Sequence, residues 1–200
     1  MDALLNADVP GRAATIDDVE FVVLDIETTG LEAATADVLS VGWVIVRHGR
    51  VDLDSAESHF VKPDGEVGVS ATVHGLTDTV VGTGMPIATV IDKIIVALTS
   101  RVLVVHHAGL DKALLDRLCS DKFGCPLPVP VVDTLALESR RRARQHHLEE
   151  TSQLTLSALR EHYGLPRYAA HDSLVDAIAT AELLLAMRTR HSLRSLAELM

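Results

Sequence analysis

The sequence predicts an α/β fold in which a mixed five-stranded sheet is flanked by helices. Three observations support this fold class. Short β-branched apolar runs follow one another across tight turns in the first half of the chain and alternate with helical patterns in the second half. Hydrophobic residues make up 48% of the chain but aromatic residues only 3%, which indicates an aliphatic core around a buried sheet. A length of 200 residues suits one domain with its own core.

The first three strands are predicted to form an antiparallel meander. The run FVVLDI at residues 21–26 is short, apolar and β-branched, which is typical of a buried strand. Two further runs, at residues 38–46 and 51–61, flank the sequence HGR, which is typical of a hairpin turn. Because short turns join these three strands, they should pair antiparallel.

Helical patterns separate the later strands. Residues 102–105 (VLVV) and 131–132 (VV) are predicted to be short fourth and fifth strands, and the turn at Gly109 starts a helix between them. Because helices connect them, strands one, four and five should be parallel. Further helices are predicted at residues 71–79, 86–98, 134–144, 154–163 and 173–187.

One domain is predicted at residues 19–190. Residues 1–18 lack a strong periodicity and are expected to form a loosely ordered leader. Residues 191–200 are expected to form a C-terminal tail or linker, with a homodimer contact as an open alternative. No apolar run approaches the roughly 18 residues that span a membrane, and the N-terminus lacks a signal-peptide pattern. We therefore expect a cytoplasmic protein with no membrane partner.

The formal net charge of −10 bears on the kind of partner. It counts against a protein that coats nucleic acid by counterion release. It does not exclude an enzyme that holds one strand end through metal ions. The run RRRARQHHLEE at residues 140–150 is predicted to be a solvated face, and a basic contact for a nucleic-acid backbone is the open alternative.

The sequence DIETTG places two carboxylates at the end of the first strand. Residues two apart on a strand point to the same face, so Asp25 and Glu27 project together while Ile26 points into the core. Paired carboxylates repel each other unless a proton or a cation lies between them. Oxygen ligands alone favour a hard ion such as Mg²⁺ or Mn²⁺. The alternative is an ordinary pair of capping residues at a strand end.

A third acidic residue follows the fourth strand in the sequence HHAGLD at residues 106–111. Gly109 allows a sharp turn, so Asp111 should lie in the first turn of the next helix, where the helix dipole favours an anion. The alternative is that Asp111 only starts this helix.

The sequence HDSLVDA at residues 171–177 contributes a histidine and a fourth acidic residue. With Asp172 or Ser173 as the N-cap, Asp176 lies in the first turns of a helix and His171 lies on the loop before it. A histidine in this position can accept a proton from water near neutral pH. The alternative is a surface histidine beside a solvent-facing aspartate.

Together these motifs bring four carboxylates and one histidine to strand ends and helix starts of one sheet. This combination suits hydrolysis by two metal ions, in which a general base removes the proton of the attacking water. A purely structural explanation would need five independent coincidences. The candidate catalytic residues are Asp25, Glu27, Asp111, His171 and Asp176.

The order of these motifs resembles the DnaQ-like DEDDh 3′→5′ exonucleases, which have a ribonuclease H-like fold. The resemblance covers about residues 21–187, so the predicted domain would be an exonuclease domain. It extends to the sequences VHGLTD at 73–78, VVDTLAL at 131–137 and LTLSALREHYGLP at 154–166. It implies release of nucleoside 5′-monophosphates from 3′ ends.

The resemblance also implies a role for each catalytic residue with two Mg²⁺ or Mn²⁺ ions. Asp25 would bridge both ions, and Glu27 and Asp176 would bind the ion that holds the attacking water. Asp111 would support the second ion, partly through water. His171 would be the general base.

Further residues are expected around the substrate by the same resemblance. The chain has few aromatic residues on which bases could stack, so leucines are expected to wedge the terminal base instead. Asp133 should lie beside the site and support the ligands. His107 and Leu110 stand where many family members have Asn and Phe, which puts the fine positioning of the substrate in doubt. The expected substrate contacts are Thr28, Gly30, Leu31, His74, Leu76, His106 and Leu110.

The combination of DIETTGL with HGLTD looks more like the proofreading subunits of replicative polymerases than like oligoribonucleases. This resemblance implies single-stranded DNA 3′ ends as the substrate and a polymerase or another protein as a possible partner. RNA 3′-end trimming by the same fold stays open, because recognition of the 2′-hydroxyl cannot be inferred from these motifs. The pair His171–Asp172 also occurs in HD-type phosphohydrolases, an all-helical class that the strand patterns disfavour. The least favoured alternative is a non-catalytic nucleic-acid-binding module.

Overall fold

The computed structural model describes residues 1–62, 84–144, 151–169 and 171–200. In this part of the chain, one mixed sheet has six strands in the order β4-β3-β2-β1-β5-β6. The strands are β1 (Phe21–Thr28), β2 (Val38–Arg47), β3 (Arg50–Lys62), β4 (Met85–Pro86), β5 (Val102–Val105) and β6 (Val131–Asp133). The first three pair antiparallel, and β1, β5 and β6 pair parallel. The predicted fold class is confirmed.

The strand count differs from the five that the sequence predicts. The additional strand is β4, which pairs parallel with Val61 and Lys62 of β3. It has two residues and leads directly into a helix, so it is too short to produce an alternating pattern. Its approach depends on Gly84, because a Cβ there would lie 2.7 Å from backbone atoms of Val61 and Lys62.

Seven α-helices lie within the described ranges. They are α1 (Asp2–Leu5), α2 (Ile87–Leu98), α3 (Asp111–Phe123), α4 (Thr134–Arg144), α5 (Leu156–His162), α6 (Ser173–His191) and α7 (Leu196–Leu199). None of the helices in the described ranges has the length and hydropathy needed to cross a membrane. The helix predicted at residues 71–79 lies outside the described residues.

The two faces of β1 contribute to two different cores. Val22, Leu24 and Ile26 pack with α2 and α3 on one face of the sheet. Phe21 and Val23 pack with α4, α5 and α6 on the other face. Because side chains alternate along a strand, Asp25 and Glu27 continue the row that begins with Phe21 and Val23. The fold therefore presents both carboxylates on the face that α6 covers.

The two terminal segments lie on the domain in the structure, although a loose leader and a tail or linker were expected for them. Leu4 and Ile16 are buried, each in one of the two cores. The Ile16 N–H donates to the carbonyl of Arg194 (2.9 Å), and the Leu196 N–H donates to the carbonyl of Ala14 (3.0 Å). Isolated buried apolar residues hold these segments against the domain. Such residues produce no periodic pattern in the sequence.

Candidate active site

Three of the predicted carboxylates meet at the carboxyl end of β1. Asp25 and Glu27 project from the strand, and Asp176 reaches them from the first turns of α6. One carboxylate oxygen from each residue lies within 4.8 Å of the other two. All three side chains are half-buried. A group of carboxylate oxygens at this spacing suits a hard divalent cation.

The N-terminus of α6 is fixed by a cap and by the residue before it. Asp172 is the N-cap, and its Oδ1 accepts hydrogen bonds from the N–H groups of Leu174 (3.0 Å) and Val175 (3.1 Å). His171 precedes the cap with a positive φ of 72°. Its backbone N–H donates to Oδ2 of Asp176 (2.9 Å), which places the histidine next to the carboxylate group.

Gly42 of β2 allows α6 to approach the sheet, and the sequence motifs did not single it out. It pairs directly with Asp25 in the antiparallel ladder. A Cβ at this position would lie 2.3 Å from the backbone nitrogen of Leu174 and 2.4 Å from the carbonyl carbon of Ser173. An isolated glycine inside an apolar strand was the available signal, since it often marks a close backbone approach.

A buried contact beside Gly42 anchors the same end of α6. The hydroxyl groups of Ser40 and Ser173 lie 3.1 Å apart. Ser40 pairs with Glu27 across the β1–β2 ladder. The two contacts on β2 therefore tie the start of α6 to the part of β1 that carries the carboxylates.

Asp111 begins α3 and is buried with 5% of its surface exposed. It lies outside the group of three oxygens but interacts electrostatically with Asp25 and Glu27. Burial raises the pKa of Asp111 to about 7, and repulsion from Asp133 adds to the increase. Backbone hydrogen bonds at His107 and Asp111 oppose it. The separate role expected for Asp111 stays a prediction.

The carboxylates destabilise one another's ionised forms. Burial holds the pKa of Asp25 well above its usual range, and repulsion from Asp111, Asp176 and Glu27 raises it further. Burial also raises the pKa of Asp176, against the opposing hydrogen bond from the His171 N–H. Close carboxylates of this kind need a proton or a cation between them. The residues therefore fit divalent metal ions.

Asp133 holds the loop that leads to Asp111 and is not one of the three grouped carboxylates. Its Oδ2 accepts the N–H of Ala108 (2.9 Å), in the loop that leads to Asp111. Its Oδ1 accepts the N–H groups of Leu135 (2.9 Å) and Ala136 (3.1 Å) and so caps α4. One side chain thereby fixes the loop after β5 against the helix after β6.

His106, an expected substrate contact, is held inside the protein. Its Nε2 lies 3.0 Å from the carbonyl oxygen of Leu154, and its Nδ1 lies 2.8 Å from the hydroxyl of Thr134. A carbonyl can only accept, so Nε2 carries the proton and Nδ1 accepts from Thr134. Burial lowers the pKa of His106, which favours this neutral form. Neither ring nitrogen is left for a substrate.

The other expected substrate contacts have different surroundings. Thr28 is buried and donates its hydroxyl to the carbonyl of Gly30 (2.6 Å), which closes the turn after β1. Leu31, beyond that turn, is 87% exposed. Leu110 is half-buried at the N-cap of α3. His74 and Leu76 lie outside the described residues.

Comparison with known proteins identifies the family. Residues 22–184 match the family RNase_T, which is described as Exonuclease. The chain belongs to this exonuclease family. The resemblance inferred from DIETTG, HHAGLD and HDSLVDA is therefore confirmed.

Two relatives of this exonuclease-family chain have DNA polymerase III names. The PolC-type DNA polymerase III of Thermotoga maritima is 29% identical over 174 residues, which are 86% of this chain and 12% of that protein. The DNA polymerase III subunit epsilon-like protein of Rhodobacter capsulatus is 32% identical over 175 residues, which are 85% of this chain and 24% of that protein. The chain thus spans at most about a quarter of the length of these relatives.

Solved structures of nucleases share the fold of this exonuclease-family chain. Escherichia coli exonuclease I superposes with a TM-score of 0.72 at 18% identity, over 87% of this chain and 42% of that one. Cell-death related nuclease 4 has a TM-score of 0.67 at 16% identity, over 87% of this chain and 65% of that one. At these identities the likeness shows the fold alone, and it confirms the predicted ribonuclease H-like architecture.

Proposed function

We propose that the chain is a metal-dependent 3′→5′ exonuclease that releases nucleoside 5′-monophosphates from single-stranded DNA. The observation that carries the proposal is the meeting of Asp25, Glu27 and Asp176, whose carboxylate oxygens lie within 4.8 Å of one another. The polymerase names of the relatives support DNA over RNA. A structure of E. coli exonuclease I, which shares the fold, was determined with a dT13 oligonucleotide.

The chain offers ligands for two Mg²⁺ or Mn²⁺ ions. Asp25, Glu27 and Asp176 would hold one ion, and Asp111 would hold the second together with Asp25. When bound, such ions activate water and stabilise the leaving oxygen in phosphodiester hydrolysis. Asp133 and Asp172 would keep the loops that carry the ligands in place through their hydrogen bonds to backbone N–H groups.

His171 would act as the general base. Its backbone is tied to Asp176, so the imidazole belongs to a segment fixed beside the metal ligands. The residue is exposed, which lets its ring meet water and substrate. A non-glycine residue with positive φ at such a place is a backbone conformation often found at functional sites.

A cleavage assay on matched 5′-labelled DNA and RNA strands tests the proposal. It uses Mg²⁺, Mn²⁺ or EDTA with the wild-type protein, Asp25→Ala and His171→Ala, and Asp121→Asn as an exposed control on α3. We expect a ladder that shortens from the 3′ end, requires metal and is lost in Asp25→Ala. Shortening from the 5′ end, or cleavage in EDTA, would contradict the proposal. Faster cleavage of RNA would assign the chain to RNA 3′-end trimming.

The DNA polymerase III names of the relatives make a polymerase the first protein partner that we propose to test. Co-elution with a DNA polymerase III catalytic subunit would support this partner. Light scattering on the isolated chain separates a homodimer from a monomer.

A further inference from the structure

A basic cavity lies apart from the carboxylates, none of which lines it. It has a volume of about 580 Å³ and is formed where α4, α6 and α7 meet. Leu137 and Leu193 form part of its apolar wall. The basic groups that line it are Arg12, Arg140, Arg141, Arg144 and His191.

Positive charge in this cavity contrasts with the net charge of −10 for the chain. Among the described side chains of the lining, only Glu198 is acidic. Its Oε2 already accepts hydrogen bonds from the N–H groups of Arg194 and Ser195, each at 2.8 Å, and from the Ser195 hydroxyl. These bonds lower the pKa of Glu198, so its carboxylate stays ionised and is bound at the start of α7. With four arginines and one glutamate, the described lining carries an excess of positive charge.

Two of the arginines form hydrogen bonds within the protein. Arg140 donates to the carbonyl oxygen of Leu199 (3.2 Å), and Arg141 donates to Nδ1 of His191. Because Nδ1 accepts, the His191 Nε2–H donates to the hydroxyl of Tyr163 (2.7 Å). Tyr163 in turn donates to Glu138 (2.7 Å). A guanidinium has five N–H donors, so each arginine keeps donors for a ligand.

The other two arginines are exposed at the rim. Arg12 precedes the bridge between the two terminal segments, and Arg144 ends α4. Neither guanidinium forms a hydrogen bond or an ion pair with another residue in the described part of the chain. Arg142, which the sequence run also contains, points elsewhere and pairs with Glu138 (2.8 Å). The basic surface is thus built from residues distant in sequence, and not from the run at 140–150 alone.

The distance of the cavity from the carboxylates indicates which part of a bound strand it would contact. α4 begins directly after Asp133 beside the carboxylates, and at 1.5 Å per residue Arg140 and Arg144 lie about 9 to 15 Å farther along its axis. α6 likewise runs from the carboxylates to His191 over roughly 27 Å. A group in this cavity belongs to a part of the ligand away from the reacting 3′ end.

We infer that the cavity binds phosphate groups of a nucleic-acid strand, upstream of the 3′ end that is cleaved. This inference rests on the proposed exonuclease function. Arginine forks match phosphate oxygens in pairs, and all four cationic side chains of the lining are arginines. The volume lies in the range of sites that accept nucleotide-sized ligands. A local positive surface on an acidic chain would attract the phosphates of a strand whose 3′ end is held by metal ions.

Length-dependent binding tests the inference without the need for cleavage. The double variant Arg12→Gln/Arg144→Gln is made in an Asp25→Ala background, and fluorescence anisotropy follows single-stranded DNA of about four and about twenty nucleotides. The control Lys93→Gln/Lys122→Gln removes the same charge from α2 and α3, on the opposite face of the sheet. Arg140 and Arg141 are left intact because they make internal contacts.

We expect the double variant to bind the longer strand about 10-fold more weakly and to lower its salt slope by about 1.4, or about 0.7 for each lost phosphate contact. Binding of the short strand and binding by the control should not change. Equal loss for both lengths, or no loss, would overturn the inference. Loss of polyglutamate binding, with the longer DNA unaffected, would assign the cavity to an acidic peptide. Length-dependent binding, together with a wild-type protein that cleaves no strand, would refute the exonuclease proposal and keep the phosphate site.

Discussion

Gly42 lies directly opposite Asp25 in the β1–β2 ladder, and the backbone of Ser173 and Leu174 packs on its α-carbon. The distance between α6 and the sheet is therefore set at Gly42, where no side chain separates the two backbones. Since α6 carries Asp176, the same contact sets how closely Asp176 meets Asp25.

Replacing Gly42 with alanine is expected to move Asp176 on α6 away from Asp25 and Glu27 on β1. The new Cβ would lie 2.3 Å from the Leu174 nitrogen, so the start of α6 must shift. We expect a loss of about 1–3 kcal/mol in the free energy of unfolding, as for other overpacked sites, and a loss of Mg²⁺ affinity. Denaturant unfolding and Mg²⁺ titration check these two effects.

Gly11→Ala is the matched control, because a Cβ there meets nothing within 4 Å. It should change stability by no more than about 0.5 kcal/mol and leave Mg²⁺ affinity unchanged. If Gly42→Ala kept wild-type Mg²⁺ affinity, the contact with α6 would not control the metal site.

His171 and Asp176 should respond differently to substitution. The hydrogen bond between them uses the backbone N–H of His171, so His171→Asn keeps it and also tolerates the positive φ. We expect this variant to cleave about 10²- to 10⁴-fold more slowly while keeping the stabilisation by Mg²⁺. Asp176→Asn should lose both the cleavage activity and the stabilisation by Mg²⁺.

Single-turnover cleavage and thermal unfolding with and without Mg²⁺ separate the two variants. Loss of the Mg²⁺-induced shift in His171→Asn would mean that the imidazole takes part in holding the metal. Full activity of that variant would exclude His171 as the general base.

The sequence predicted the parts of the site that follow from periodicity. Strand alternation placed Asp25 and Glu27 on one face, and capping chemistry placed Asp172 or Ser173 at the N-cap of α6, of which the structure has Asp172. Both features are local, so a short window of residues contains the information. The meander and the parallel crossovers were predictable for the same reason, since turn length and intervening helices determine strand direction.

Features that depend on residues distant in sequence were not predicted. The two-residue strand β4 approaches β3 at Gly84, where a Cβ would clash with the β3 backbone. His106 was expected at the substrate, but Thr134 and Leu154, which hold its ring, come from later elements of the chain. The role of Gly42 likewise depends on α6, about 130 residues later in the chain. Local patterns contain no information about such partners.

Neutralising Asp25 should stabilise the metal-free protein while it removes function. The ionised form of this carboxylate is disfavoured by burial and by its acidic neighbours. Asp25→Asn removes that charge, so we expect a higher melting temperature in EDTA and no further rise with Mg²⁺. Asp121→Asn, on the exposed side of α3, should behave as wild type. A lower melting temperature of Asp25→Asn in EDTA would show that repulsion does not dominate this site.

The stability of the metal-free protein should fall as pH rises. The pKa of Asp111 is raised from 3.8 to about 7 in the folded protein, so the folded state binds this proton more tightly than the unfolded state. The resulting stabilisation is complete below about pH 4 and is lost as pH rises through about 7, and it amounts to about 4 kcal/mol at most. Mg²⁺ binds the ionised carboxylates, so its stabilising effect should grow over the same range.

Melting temperatures in EDTA and in excess Mg²⁺, at about pH 5 and about pH 8, measure both trends. Asp111→Asn should reduce the pH dependence in EDTA without abolishing it, because the pKa of Asp25 is raised as well. Asp121→Asn should retain the wild-type dependence. If the metal-free protein instead became more stable from about pH 5 to about pH 8, carboxylates whose ionised form stabilises the fold would outweigh the effect of Asp111.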